Sequence, residues 1–368
     1  MRLGDVKTSE RWPVRIFLYE FVTGGGWYER GAEAASESLV AEGSAMLESL
    51  AADLSAIPGV NVDVLRDVRC PGLALSGCTI HEVGSLREEQ RVFVECARSA
   101  DWSVVIAPEF CGYLAARCRK VETCGGRLLG PNSELVALAS DKHATALHLA
   151  SHGVRVPVGI SLGPSAALPE DFHYPAVLKP RDGAGSQGVE FIERPAGKRT
   201  ASGSLWRLEQ FCPGTPASVA FLCGQQRTLP LVPCLQLLSD DGRFTYRGGS
   251  LPIEPQLSDR AVDLSLRAVE ALAGSEDAGR ADSNGLVGYV GVDLILGDDP
   301  SGKLDTVIEI NPRLTTSYVG LRALFDGNLA AAMLGVAEGQ AVELCWKTGS
   351  IDFETSGEVR FGRKAGGV

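Results

Sequence analysis

The chain lacks the features that mark membrane proteins and nucleic-acid-binding proteins. Its 368 residues contain no run of Lys and Arg, and the formal net charge is −11. This acidic balance argues against nucleic acid or an anionic membrane as a partner. No apolar run reaches the roughly 18 residues that a membrane span needs. The N-terminal run at 14–22 is short and is interrupted by Glu20, so we expect neither a signal peptide nor a span.

Paired cysteines and clustered histidines are also missing. The ten cysteines form no CxxC pair and show no metal-ligand spacing. In a chain this long, they indicate reduced core residues of a cytoplasmic protein rather than a disulfide framework. The five histidines are dispersed, and no Cys–His or Ser–His–Asp set suggests a covalent enzyme intermediate.

Two apolar strands joined by a turn-rich link are predicted between residues 288 and 321. Because side chains alternate along a strand, each strand should present one face as a unit. These faces are Tyr289, Gly291, Asp293 and Ile295 in the first strand, and Val307, Glu309 and Asn311 in the second. If the chain turns back near Ser301, Asp293 and Glu309 lie opposite each other.

Two facing carboxylates between apolar residues need compensation, because like charges opposite each other destabilise a sheet and burial adds several kcal/mol. A divalent cation is the usual compensation, and Asn311 adds a third oxygen ligand. Arg313 places a fixed positive charge beside this group. The alternative is a charged hairpin whose carboxylates point at water.

Cationic and glycine-rich segments upstream suit phosphate binding. A strand at 174–179 delivers Lys179 to the loop at 180–188, whose backbone N–H groups could form an anion nest. Lys142 opens a helix against the helix dipole, which an anionic partner would rationalise. Glu209 brings an acceptor into the apolar strand at 205–211. The alternatives are a plain hairpin and a solvated lysine.

The first 130 residues alternate strand and helix patterns, which predicts a small doubly wound α/β domain. Its strands are expected at 14–21, 60–66 and 102–107, and its helices at 39–54 and 87–100. Three glycines, Gly24 to Gly26, follow the first strand and could admit a ligand close to the backbone; a flexible turn is the alternative. Gly43 follows Glu42 early in the first helix, where glycine costs about 1 kcal/mol. This pair indicates close packing or a ligand.

The order of Lys142, Lys179 with its glycine-rich loop, Glu209 and the metal set resembles the ATP-grasp superfamily of carboxylate–amine ligases. The motifs KPRDGAGSQGV and EINPR carry the resemblance. It implies an α/β fold of the ATP-grasp (α+β) type. The implied domains are an N-terminal doubly wound α/β domain at 1–130, an ATP-grasp domain at 131–340 with a mobile lid subdomain at about 172–212, and a polar tail at 341–368.

The resemblance also implies ATP with Mg²⁺ or Mn²⁺, and a role for each matching residue. Lys142 and Lys179 would bind phosphates, Lys179 and Arg313 would be catalytic, and Glu209 would take the adenine amino group. The nucleotide would further contact Gly185, Ser186, Gln187, Gln210, Phe211 and Cys212, and the metal would be held by Asp293, Glu309 and Asn311. Two positions depart from the pattern: Pro216 replaces a ribose-binding Glu, and Gly291 replaces an Arg near the metal.

Within the superfamily, the chain most resembles the tyramine–glutamate ligases of methanofuran biosynthesis, through LYEFVTGGG, LVAEGSAM, APEF and EINPRLTTSYVGL. This implies a cytoplasmic enzyme that joins the γ-carboxylate of glutamate to tyramine through an acyl phosphate, with a homodimer as the assembly to test. Substrates would contact Gly24, Gly25, Gly26, Thr315, Thr316 and Ser317. Phe21, Trp27 and Tyr28 would pack against the amine or belong to the core. A different acid and amine, or a non-catalytic nucleotide-binding protein, are the alternatives.

Overall fold

The computed structural model describes residues 13–31, 33–183, 185–274 and 285–362. The loose segment expected at 1–12 and most of the polar loop expected at 274–285 lie outside these ranges. No helix within the ranges combines the length and the apolar character that crossing a membrane requires.

A four-stranded parallel sheet with three helices begins the described chain. In chain order its elements are β1 (Val14–Glu20), α1 (Glu37–Ser55), β2 (Val60–Asp67), β3 (Cys78–Val83), α2 (Leu86–Ser99), β4 (Trp102–Ile106) and α3 (Tyr113–Thr123). The strand order is β3-β2-β1-β4, so the carboxyl ends of β1 and β4 are neighbours. In such sheets ligands bind at the carboxyl ends of the strands.

Both faces of this sheet are covered, which explains the continuous apolar run of β1. Ile16 and Leu18 pack on one side with α1, and Phe17 and Tyr19 pack on the other side with α2 and α3. The predicted doubly wound arrangement is confirmed. The sequence analysis did not predict β3 and α3.

A second, smaller antiparallel sheet follows two short helices. The elements are α4 (Ser133–Ser140), α5 (Lys142–Ser151), β5 (Gly159–Leu162), β6 (Ala176–Pro180), β7 (Glu190–Ile192) and β8 (Trp206–Gln210), and the strand order is β5-β8-β6-β7. This lid sheet has its own small core around Leu178 and Leu208. It begins earlier than the expected bound near 172, because β5 pairs with β8.

An eight-stranded antiparallel sheet with three helices forms the rest. Its elements are β9 (Thr215–Cys223), β10 (Thr228–Pro230), β11 (Cys234–Leu238), β12 (Tyr246–Leu251), α6 (Pro255–Ala273), β13 (Gly288–Leu296), β14 (Thr306–Asn311), α7 (Ser317–Leu324), α8 (Leu329–Ala337), β15 (Ile351–Glu354) and β16 (Val359–Phe361). The order is β14-β13-β9-β11-β12-β15-β16, with β10 on β9. The apolar pattern at 229–238 predicts one strand, and the structure has two there, β10 and β11.

The polar tail expected at 341–368 is wrong at strand β15 (Ile351–Glu354). Strand β15 pairs with β12, and Ile351 and Phe353 are fully buried. Alternation along β15 puts these two side chains in the core while Asp352 stays exposed. Residues 363–368 lie outside the described chain.

Helix α1 is fixed against the last helices of the chain. The Asp53 carboxylate accepts hydrogen bonds from the Tyr318 hydroxyl at 2.7 Å and from Arg322 Nε at 2.9 Å. Asn328 Nδ2 donates to the Asp53 carbonyl at 2.7 Å. One hydrophobic core runs from β1 and α1 to α7, α8 and β15. The N-terminal sheet and the large sheet therefore share packing, which holds α1 over the cleft between them.

Candidate active site

One cavity between the three sheets collects nearly all of the residues that the sequence singled out. Its lining includes the predicted cations, carboxylates, loop residues and hydroxyls: Lys142, Lys179, Gly185, Ser186, Gln187, Glu209, Gln210, Phe211, Cys212, Asp293, Glu309, Asn311, Arg313, Thr315, Thr316 and Ser317. Of the predicted site residues, Gly24, Gly25 and Gly26 do not line it. The structure thus brings distant segments together, while the roles of the individual residues stay predictions.

The facing of Asp293 and Glu309 is confirmed by the register of β13 and β14, which pairs them directly. The pairing then shifts by one residue, so Leu294 pairs with Val307. The expectation that Val307 shares the face of Glu309 is therefore wrong: Val307 is buried in the core, and Ile308 lines the cavity instead. Such bulges re-aim side chains and are common beside active sites.

The two carboxylates have opposite electrostatic surroundings. Burial and the neighbouring Glu309 raise the pKa of Asp293. Burial acts to raise the pKa of Glu309 as well, but Lys142 and Lys179 outweigh it and hold that pKa below its usual range. Asp293 also accepts hydrogen bonds from Gln236 Nε2 at 2.9 Å and from Asn311 Nδ2 at 3.0 Å.

This donor set suits a magnesium ion that is shared with phosphates. Mg²⁺ usually takes one or two protein carboxylates and completes its coordination with water and phosphate oxygens. Asp293 and Glu309 supply two carboxylates and Asn311 adds an amide oxygen, and the partly buried carboxylate of Asp293 faces that of Glu309. Across the described ranges, no group of three or more His, Cys, Asp and Glu side chains could hold a metal by itself.

Lys142 stands at the start of α5, where Asp141 caps the helix through hydrogen bonds from two backbone N–H groups. Its Nζ atom lies 2.7 Å from Glu309 Oε2 and 2.7 Å from the carbonyl oxygen of Gly183. The anionic partner that the sequence pattern called for is therefore a carboxylate of this chain.

Lys179 and Glu209 form a buried pair in the lid sheet. Lys179 Nζ lies 2.5 Å from Glu209 Oε1, and Arg207 Nε donates to Glu209 Oε2 at 2.6 Å. Arg207 is 2% exposed, and it escaped the sequence analysis. The sequence pattern that could have identified Arg207 is its i, i+2 spacing to Glu209, which places both side chains on one face of β8. Gly159 makes room for it, because a Cβ atom there would lie 2.8 Å from the guanidinium.

The glycine-rich loop between β6 and β7 has the backbone that close approach to a ligand requires. Gly185, Ser186 and Gly188 have positive φ angles of 60°, 58° and 73°, which is uncommon for a serine and is found at functional sites. Residue 184 lies outside the described chain. Arg181 at the start of the loop donates from Nε to Asp141 Oδ1 at 3.0 Å, so the loop is tied to α5.

Arg313 is partly buried, with its side chain 13% exposed, and it reaches the loop after β4 of the N-terminal sheet. It makes two hydrogen bonds to Glu109, at 2.7 Å from Nε and 3.0 Å from Nη2. Glu109 follows β4, and its carboxylate therefore enters the cleft from the carboxyl edge of the sheet. Glu42 and Glu309 also act electrostatically on Arg313. The sequence analysis quoted Glu109 within APEF without assigning it a role.

The hydroxyl groups after Arg313 form a small network on the cavity wall. The Tyr289 hydroxyl lies 3.0 Å from both Thr315 Oγ1 and Ser317 Oγ, and these two oxygens are 2.8 Å apart. Gly291 leaves the space for this wall, because a Cβ atom there would lie 2.8 Å from Thr315 Cγ2. A side chain at this position would collide with Thr315 unless that wall moved.

The glycines after β1 serve packing in this structure. A Cβ atom on Gly26 would lie 2.5 Å from the Tyr19 hydroxyl, and one on Gly25 would lie 2.7 Å from Val83. Phe21 and Trp27 are buried in the same core. The structure therefore favours the alternative in which these aromatic residues are core residues. It does not bring the three glycines to the cavity.

Comparison with known families agrees with this arrangement. Residues 139–317 match the ATP-grasp domain family, and residues 60–136 match the pre ATP-grasp 3 domain family. The chain carries an ATP-grasp domain and a pre ATP-grasp domain before it. Its α/β fold, with a preceding domain, is the one that the sequence predicted.

Relatives and solved structures agree over most of the chain. Two curated relatives, from Methanocaldococcus fervens and Methanocaldococcus jannaschii, are named tyramine–L-glutamate ligase. The first is 24% identical over 92% of this chain and 98% of its own length. An ATP-grasp superfamily protein from Archaeoglobus fulgidus is 24% identical, with a TM-score of 0.65 and 92% of each chain covered. A biotin carboxylase in complex with a βγ-ATP ligand, from Campylobacter jejuni, is 16% identical, with a TM-score of 0.66 over 92% of this chain and 74% of its own.

This ATP-grasp protein is an ATP-dependent carboxylate–amine ligase, as predicted. ATP is its nucleotide and Mg²⁺ is the usual metal of such enzymes, so both predicted cofactors are confirmed. Its substrates are small molecules.

Proposed function

We propose that this protein joins the γ-carboxylate of L-glutamate to tyramine or a close analogue. The glutamate carboxylate attacks the γ-phosphoryl group of ATP, and the amine then displaces phosphate from the acyl phosphate to give an amide. The names of the two curated relatives support this pair of substrates. The observation that carries the reaction class is the single cavity where phosphate-binding cations and facing carboxylates meet.

Each charged group of the cavity has a proposed task. Lys142 and Lys179 bind the phosphates, and Glu209 and the following backbone hold the adenine. Arg313 and Lys179 stabilise the charge on the transferring phosphoryl group, which is where fixed positive groups contribute most. Asp293, Glu309 and Asn311 hold Mg²⁺, which offsets phosphate charge when bound. Thr315 and its neighbours offer hydroxyl donors to the glutamate.

The lid sheet is proposed to close over the acyl phosphate and exclude water, because that species would otherwise hydrolyse. It meets the large sheet through aromatic rings. Phe211 of the lid and Phe244 of the β11–β12 turn are stacked with centroids 6.2 Å apart, and Phe191 lies edge-on to Phe211 at 5.2 Å. The backbone N–H of Phe191 also donates to the carbonyl of Gly242 at 2.7 Å. These contacts hold the lid sheet against the β11–β12 turn of the large sheet.

The test is to incubate the protein with ATP, Mg²⁺, a panel of carboxylic acids and a panel of amines, and to measure ADP release and product mass. We expect a condensed product from glutamate and tyramine, with ring-bearing amines preferred. Turnover with other acids, or only with amines that lack a ring, would refute the substrate pair and leave the ligase class standing. Nucleotide binding without turnover of any pair would favour the non-catalytic alternative.

The cellular location and the oligomeric state of the protein are proposals as well. We propose that the enzyme acts in the cytoplasm, which is supported by its ten cysteines, all of them free in the described chain. We also propose a homodimer, and light scattering over a concentration series tests it. A mass of one chain at every concentration would contradict the dimer.

A further inference from the structure

In the Glu42-Gly43 pair of α1, packing explains the glycine but not the glutamate. A Cβ atom on Gly43 would lie 2.7 Å from the carboxyl group of Glu20. Glu20 is 2% exposed, and its carboxylate accepts hydrogen bonds from the Val22 backbone at 3.1 Å and from the Thr23 backbone and hydroxyl at 2.7 Å each. Glycine at 43 therefore makes room for a buried, fully bonded Glu20, and it leaves the carboxylate of Glu42 unexplained.

Glu42 lines the active-site cavity and has no partner there. Lys142 is paired with Glu309, and Arg313 is paired with Glu109. By contrast, Glu42 makes no hydrogen bond and no ion pair with any residue in the described part of the chain. Of these three carboxylates, Glu42 is the one that no cationic side chain of the described residues pairs with.

The position of Glu42 places that ligand next to the reacting groups. Its carboxylate acts electrostatically on Arg313 from one side, and Glu309 acts on Arg313 as well. It also faces the phosphate loop, since a Cβ atom on Gly185 would lie 3.9 Å from Glu42 Oε2. Tyr246 of β12 is another titratable side chain that interacts electrostatically with Glu42. A molecule bound at Glu42 would thus reach an acyl group held beside Arg313.

The carboxylate is held by a rigid element and is suited to take up a proton. The Asp53 network on the same helix fixes α1 against α7 and α8. Burial raises the pKa of Glu42, and Arg313 offsets part of that rise. A base works best when its proton affinity lies closer to the operating pH than that of an exposed carboxylate.

We propose that Glu42 binds the amine substrate as its ammonium ion and removes the proton that blocks attack. The proposal rests on the ligase function above and identifies Glu42 as the residue that binds the amine and accepts its proton. One proton passes from nitrogen to the Glu42 carboxylate, and the freed electron pair forms the C–N bond at the acyl phosphate carbon. The C–O bond to phosphate then breaks, and phosphate leaves with the electron pair of that bond. Phosphate takes the second nitrogen proton and departs as HPO₄²⁻, and Glu42 returns its own proton to water.

The other carboxylates near the carboxyl ends of β1 and β4 are unsuitable as the base. Both oxygens of Glu109 accept from Arg313, so its charge is already neutralised. Glu20 lies behind Gly43, and its oxygens are occupied by Thr23 and Val22. Glu42 lies on α1 and is also separate from the metal set of Asp293, Glu309 and Asn311 on β13 and β14.

The test separates activation of the acid from attack by the amine. Hydroxylamine is mostly uncharged near neutral pH, so it should trap the acyl phosphate as a hydroxamate without a base. Wild type, Glu42→Gln and Glu42→Asp are assayed with ATP, Mg²⁺ and L-glutamate, once with hydroxylamine and once with tyramine. Glu37→Gln, an exposed glutamate on the same helix, is the matched control.

We expect Glu42→Gln to keep hydroxamate formation at the wild-type rate and to lose tyramine ligation by about 100-fold or more, the usual contribution of a general base. Glu42→Asp should recover part of the ligation, and Glu37→Gln should match wild type in both assays. Equal loss of both products, or loss of neither, would overturn the role of Glu42 alone. A wild-type protein that forms neither product would refute the proposed function and this role together.

Discussion

The Nζ atom of Lys142 lies 2.7 Å from Oε2 of Glu309, and this ion pair joins the first turn of α5 to strand β14. The proposal assigns the two groups to different parts of the bound nucleotide, the lysine to phosphates and the carboxylate to Mg²⁺. Binding must therefore exchange one partly buried pair for two new interactions. The same holds for Lys179 with Glu209. Each nucleotide-binding charge is thus satisfied by another charge of the same cavity.

Glu309→Gln should abolish turnover while the fold persists. The change removes a metal ligand, but it also removes the repulsion with Asp293, so stability should not fall sharply. We expect kcat to drop more than about tenfold, a barrier increase above about 1.4 kcal/mol, in the ADP-release assay. The exposed Glu343→Gln serves as the control. A variant that keeps more than a tenth of wild-type kcat would show that Glu309 is not a metal ligand.

Lys179→Ala should weaken ATP binding more than adenosine binding. The lost interaction is with phosphates, which adenosine does not have, and Glu209 keeps its partner Arg207 at 2.6 Å. We expect the ATP dissociation constant to rise about tenfold or more, which is 1.4 kcal/mol, as measured by calorimetry. Lys198→Ala changes a half-exposed lysine near the same sheet and should leave both ligands unaffected. Equal weakening of ATP and adenosine by Lys179→Ala would contradict the phosphate role.

Gly43→Ala should destabilise the protein although alanine is the better helix former. The helix gain is about 1 kcal/mol, but the new Cβ atom would press on a Glu20 carboxylate that three hydrogen bonds hold in place. We expect a net loss of about 1–3 kcal/mol in urea unfolding. In a Glu20→Ala background the same change should be neutral or stabilising, because the obstructing carboxylate is gone. Identical effects in both backgrounds would rule out the contact as the cause.

Asp141→Asn should cost stability at neutral pH and little in acid. Burial acts to raise the pKa of Asp141, but hydrogen bonds from Arg181 and from the α5 backbone outweigh it, and the pKa is lowered on folding. A lowered pKa means stability that is present above the unfolded value near 3.9 and is lost as the pH falls through the folded value. Asparagine caps a helix about as well as aspartate, so the variant isolates the charge.

We expect a loss of about 1 kcal/mol at pH 7, since the pair with Arg181 is partly exposed. Urea unfolding of both proteins between neutral pH and about pH 3 measures how this difference changes below the unfolded pKa. The exposed Asp326→Asn is the control. A difference that stays constant, or that grows as the pH falls, would show that the Asp141 charge is not responsible.

The sequence by itself determined the facing carboxylates and the order of the binding segments. Period-two alternation and a dense turn at 297–302 predict the Asp293–Glu309 register without any tertiary information. The loop after Lys179 and the helix opening at Lys142 are equally local signals. Amphipathic and apolar patterns likewise predicted α1, α2 and the strands β1, β2 and β4 of the N-terminal sheet within a few residues, because backbone alternation and helix periodicity operate over short distances.

Only the tertiary structure decided which charges pair and which residues face the cleft. Arg313 and Glu109 are 204 positions apart, and no local pattern joins them. The bulge after Asp293 moved Val307 into the core, and the pairing of β15 with β12 turned an expected tail into a buried strand. The glycines after β1 were drawn into packing with Tyr19 and Val83. In each case the outcome depends on which surfaces meet, and that is fixed by burial of apolar area across the whole chain rather than by neighbours in sequence.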